Sequence, residues 1–125
     1  MKQRFIREGD SIDDDSELVL RGGDLDPTLI RSDAQRMYDI YGSYGISVFA
    51  LRGATLAELA RQPPLVRFAV LSLITARTIS AAGLRLEATG RNRRHFTLIL
   101  GDLELGIKAL AACGYRSVQN PYHEP

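Results

Sequence analysis

The chain has 125 residues, 45% of them apolar, a formal net charge of +1 at neutral pH and a single cysteine. That is enough apolar material for one core without metal or disulfide staples, and a lone Cys113 forms no disulfide within the chain. The longest greasy stretch, Leu65 to Ile74, is too short to span a bilayer and carries Arg67, and MKQRFIREGD lacks the apolar run of a secretion signal, so a single cytoplasmic domain over residues 1–125 with no membrane segment is expected.

The chain opens with a short predicted strand, Arg4 to Ile6, followed by GDSIDDDS. Three consecutive aspartates repel one another, so this is an exposed loop; a metal site at Asp10, Asp13 and Asp15 is the sharper alternative, without the Gly and closing Glu of an EF-hand loop. A strand over Glu17 to Arg21 and a GGDLDP turn lead to a helix with Asp26 as N-cap and Pro27 in its first turn. Ile30, Ala34, Met37 and Tyr41 share one helical face, and Gly42 stands where a C-terminal glycine belongs. Tyr44 to Leu51 reads as a central strand buried on both faces. Thr55 and Glu58 form a capping box for a short helix that ends before Pro63 and Pro64. Leu65 to Gly83 fits either one helix or a strand followed by a helix from about Ala76; the alternation of Val66, Phe68 and Val70 favours the second. Leu84 to Ala88 and HFTLIL form a hairpin with a GRNRR tip, Asp102 caps a last helix with Leu103, Ile107, Leu110 and Ala111 facing inward, and YRSV is a final edge strand. The expected class is α+β, a mixed sheet whose second half follows the ferredoxin-like split βαβ plan with helices packed on it.

The chain lacks GxGxxG, a P-loop, HExxH, CxxC and GxSxG, and two histidines with one cysteine cannot make a zinc site, so no metal and no cofactor is expected from motifs. Charge divides unevenly: residues 1–60 hold eleven acids and seven bases, residues 61–125 four acids and nine bases. The basic excess peaks in GRNRRHF, where Arg91, Arg93 and Arg94 precede His95. A guanidinium nearby lowers an imidazole's pKa and leaves a neutral base, while guanidinium groups stabilise charge on phosphorus. His95 as base with Arg91, Arg93 and Arg94 as phosphate ligands, and His123 as a second acid or base, would suit RNA or nucleotide binding and phosphodiester cleavage. Alternatively His95 pairs with a backbone carbonyl while the arginines point into water.

Arg21, closing LVLRGG, and Ser47, inside GISVFA, resemble the Arg and Ser of the arginine-serine-glutamate class of mono-ADP-ribosyltransferases. That resemblance implies NAD held by those two residues. The class also carries a Glu on a later strand in a Glu-x-Glu or Gln-x-Glu pattern; this chain has none, and its Glu104 falls in a predicted helix. Across nearly the whole chain, LRGGDLD, YGISVFA, GRNRRHFT and NPYHE resemble a set of short bacterial proteins of unassigned function, whose paired-gene setting implies a toxin or antitoxin role. Three functions therefore stand open: an RNA- or nucleotide-phosphate binder acting as a toxin-type ribonuclease, an ADP-ribosyltransferase-like NAD-binding protein, and a non-catalytic module docking a cognate protein through Tyr38, Tyr41 and Tyr44.

Overall fold

The structure, a computed structural model, describes residues 2–12 and 18–125. Six strands form one sheet: β1 (Leu18–Gly22), β2 (Tyr44–Phe49), β3 (Val70–Thr75), β4 (Arg85–Ala88), β5 (His95–Gly101) and β6 (Arg116–Gln119), in the order β4-β5-β2-β1-β3-β6. Four helices connect them: α1 (Pro27–Tyr41), α2 (Leu56–Ala60), α3 (Ala76–Ala81) and α4 (Leu103–Ala112). The α+β class holds, but the sheet is antiparallel in every ladder of the described residues where a mixed one is expected. The strands of the second half keep a split βαβ arrangement, β6 beside β3 and β5 beside β4, but β1 and β2 are wedged between the two pairs.

The helix caps follow the local chemistry. The Asp26 side chain accepts from Thr28 N–H at 2.7 Å, and Gly42 ends α1 at φ 81°, a left-handed turn that a Cβ would strain. Thr55, Thr75 and Asp102 cap α2, α3 and α4 in the same way. One face of the sheet buries Val19, Ile46, Val48, Phe96 and Leu98 with Ile30 and Ala34 of α1, Ile79 of α3 and Ile107 and Leu110 of α4. The other buries Leu20, Phe49, Leu71 and Leu73 under Leu59 and Ala60 of α2 and Leu65. β2 thus supplies both cores, as its lack of a polar side requires.

Three boundaries differ from expectation. Residues 4–6 make a single bridge, Ile6 to Thr89, because Phe5 and Ile6 stay exposed and nothing buries a strand there. Leu65 to Gly83 is indeed strand then helix, but the strand starts at Val70: turn bonds from Leu65 and Val66 N–H to Gln62 O follow the two prolines, and Phe68 is 43% exposed. Leu51 lies outside β2, its carbonyl turned to Ala54 N–H. Asp13 and Asp15 lie outside the described residues; among those described, no His, Cys, Asp and Glu side chains group for a metal. No described helix is long and apolar enough to cross a membrane.

Candidate functional site

The sheet has a weak seam at its centre. Among the described residues β1 pairs with β2 only at Leu20 and Phe49, whereas β1–β3 runs over five residue pairs and β2–β5 over six. Beyond Leu20 and Phe49 the two strands diverge, and Ser47 O accepts from the Arg21 side chain (Nη1, 3.0 Å) where a ladder would have supplied a main-chain N–H. The other arm of the same guanidinium pairs with Asp33 of α1, which Arg36 also approaches at 3.4 Å. Arg21 therefore braces the seam from within its wall.

Two hollows that share Ser47 and His95 flank the seam, the two lobes of the seam cleft. The first, ≈ 400 Å³, is lined by Asp33, Arg36, Met37, Tyr41, Ser47 and His95. The second, ≈ 320 Å³, is lined by Gly22, Ser47, Phe49, Pro64, Phe68 and His95. Ser47 and His95 belong to both lobes. Asp33 and Arg36 bring charge to the first lobe, which Met37, Ile40, Tyr41 and Ile46 otherwise line with apolar surface; aromatic and apolar groups line the second. Gly22 leaves room for the Phe68 ring: a Cβ there would come within 2.3 Å of the ring where it now stands.

His95 opens β5 opposite Phe49, and the two rings meet edge to face at 5.5 Å. Its Nδ1 lies 3.0 Å from Thr89 O and 3.1 Å from Thr89 Oγ1. A carbonyl only accepts, so Nδ1 carries the proton and Nε2 keeps its lone pair. Burial pushes the imidazole below its ordinary 6.5; the bond to the Thr89 carbonyl pulls the other way, and the charge of Arg7 lowers it again. The neutral imidazole expected from GRNRRHF is thus accounted for by burial first and by a guanidinium 88 positions away, with the adjacent arginines taking no part.

Those arginines diverge. Arg91 lies over the Phe5 ring at 5.4 Å, and Arg94 pairs with Glu58 of α2 at 3.2 Å. Arg93 is exposed and lines a separate ≈ 380 Å³ groove with Asp10, Ser11, Arg52 and Phe96. None of the three lines either lobe of the seam cleft. His123 is exposed in the C-terminal tail, its N–H on Asn120 O, and lines neither lobe. Glu104, in α4 as expected, accepts two bonds from Arg31 (3.0 and 2.9 Å) on the outer surface, and those bonds hold its carboxyl below the ordinary range. Tyr38 stacks on Tyr44 with ring centres 4.5 Å apart, and Arg4 lies over Tyr41; of the three tyrosines only Tyr38 is exposed, while Tyr41 turns toward the cleft.

Sequence reasoning missed Arg7, Asp33 and Thr89. Arg7 and Asp10, three positions apart, form a 2.7 Å ion pair, and that spacing was the one local signal. The partners of Arg7 around His95 lie 82 to 88 positions away and leave no trace in the pattern. No protein-family model, curated protein or solved structure gives a significant match to the chain.

Proposed function

We propose that the protein binds a phosphate-bearing nucleotide in the seam cleft, in the manner of an ADP-ribosyltransferase-like NAD-binding protein. The observation that carries this reading is that Ser47 and His95 line both lobes while Arg21 braces the wall behind Ser47. The lobes fall within the roughly 300–1,000 Å³ typical of small-molecule sites. Their division suits a dinucleotide: a flat ring against Phe49 and Phe68, ribose hydroxyls at Ser47 and His95, and a phosphate facing the Arg36 guanidinium.

Among the described residues no glutamate lines the cleft; His95 begins β5, and the lining carboxylate, Asp33, is engaged by Arg21 and Arg36. A neutral imidazole with Nε2 available accepts a hydroxyl proton but offers no negative charge to a developing ribosyl cation. The reading therefore places ligand binding first, and any group transfer would rely on His95 activating the incoming hydroxyl. Calorimetry with NAD and ADP-ribose should give saturable binding that Ser47→Ala and His95→Ala each weaken at least tenfold. No heat with either ligand sinks the reading; labelled NAD then reports transfer separately.

A second reading, an RNA-phosphate surface at the hairpin, is favoured by one observation: Arg93 and Arg52 line the same groove. If it holds, Arg93→Ala weakens RNA retention and flattens its salt dependence. Retention unchanged across a salt series removes it.

A further inference from the structure

We infer that Arg7 is the positioning residue of the cleft's imidazole: its guanidinium gathers the carbonyls of Thr89, Gly90, Arg93 and His95 into one frame that holds Nδ1 of His95 on Thr89 and leaves Nε2 for the cleft. The bonds run to Gly90 O at 3.0 Å, Arg93 O at 3.1 Å and His95 O at 2.8 Å, with a further one to Thr89 O. Nε is occupied by Asp10 at 2.7 Å, and the guanidinium sits 5.4 Å from the centre of the Phe96 ring. Only 10% of the side chain is exposed. A planar group with five donors serves this many acceptors at once; a lysine ammonium, with three donors on one atom, cannot span them.

The decisive atom is Thr89 O, which accepts from both Arg7 Nη1 and His95 Nδ1. The acceptor that fixes the tautomer is thus itself fixed by Arg7. Four converging carbonyl dipoles would repel one another without a cation among them, so losing the guanidinium loosens the turn from which His95 emerges. The segment carrying Arg7 is anchored on both sides, by Gly90 N–H to Phe5 O and by Arg7 N–H to Ala88 O.

The groups facing the imidazole are few. Arg7 approaches from the N-terminal segment; Phe49 and Thr89 are uncharged; Asp33 and Arg36 of α1 share the first lobe with it; Arg94, its neighbour in the chain, is paired with Glu58 of α2. Among the described residues no carboxylate pairs with the ring, so burial, the bond to the Thr89 carbonyl and the charge of Arg7 set its state.

The functional meaning of this frame rests on the nucleotide-binding reading, but the frame is tested without any ligand. Ring nitrogen and carbon resonances of His95 should be followed against pH in the free protein for wild type, Arg7→Ala and Arg7→Lys. Wild type should show the Nδ1–H tautomer and a midpoint below the ordinary imidazole value. Both variants should show mixed tautomers, and in calorimetry both should bind NAD at least tenfold more weakly; Arg7→Lys, which keeps the positive charge, should not raise the midpoint. Failure of lysine to restore the tautomer separates the fork from its charge, and it stands in should Arg7→Ala not fold. The wild-type tautomer in either folded variant overturns the inference. Altered ring behaviour with no NAD binding by the wild type leaves the frame standing and removes the NAD reading instead.

Discussion

The hairpin tip and the sheet seam make opposite use of arginine. At the tip, three guanidinium groups adjacent in sequence leave in three directions, toward Phe5, toward Glu58 and into the groove beside Arg52. At the seam, Arg21, Asp33, Ser47 and His95, drawn from three strands and a helix, meet around one cleft. A tight turn fans out consecutive side chains, whereas an interrupted ladder leaves a concavity that residues far apart in sequence can line. Density of charge along a chain is therefore a poor guide to density of charge in space, and the site is better sought where pairing stops.

The comparison breaks most sharply at Arg21. Arg21→Ala removes the side chain that satisfies Ser47 O and leaves Asp33 with only the exposed Arg36; a loss of about 2 kcal/mol is expected, together with loss of ligand binding. Urea midpoints and calorimetry check both parts. Gly22→Ala, which drives a Cβ into the Phe68 ring, should cost about 1 kcal/mol, because the half-exposed ring can swing aside, and should weaken binding more than it lowers stability.

The effect of pH follows from His95. Its folded pKa lies below the unfolded value, so the unfolded chain takes up this proton first as pH falls. The contribution of His95 is intact above about pH 6.5 and declines as pH drops toward the folded pKa, below which it levels off. Urea midpoints at pH 7.5 and 5 should differ less in His95→Gln than in wild type; equal differences would remove the assignment. At the tip the expected effects are the smallest. Arg94→Ala loses a partly exposed ion pair worth about 0.5 kcal/mol, and Arg93→Ala should stay within about 0.5 kcal/mol of wild type with NAD binding unchanged. Equal losses at tip and seam would erase the distinction.

Local chemistry was legible where it is local. Asp26 and Pro27, Thr55 and Glu58, Asp102 and Gly42 mark helix ends because a cap is decided by residues within one turn. The alternation at Val66 and Phe68 misled because two prolines and the Gln62 turn override periodicity, leaving Phe68 on the cleft's edge instead of in a ladder. His95 and Ser47 were recognisable as candidates from their residue types and strand positions. Their convergence was not, since it depends on β1 and β2 entering between β3 and β5, a matter of topology that no window of sequence carries. Arg7 was hidden for the same reason.

The single Leu20–Phe49 pair also has a mechanical consequence. It divides the sheet into two three-stranded plates, β4-β5-β2 and β1-β3-β6, each internally cross-linked by longer ladders; among the described residues one backbone pair and one arginine arm join their backbones, while both cores pack across the junction. A small rotation of one plate against the other would change the width of the crevice with every other ladder intact, at the expense of few backbone bonds but against the packing of both cores. Amide exchange should accordingly be faster at Leu20 and Phe49 than at Leu73 or Leu98, and should slow at the junction when the crevice is filled.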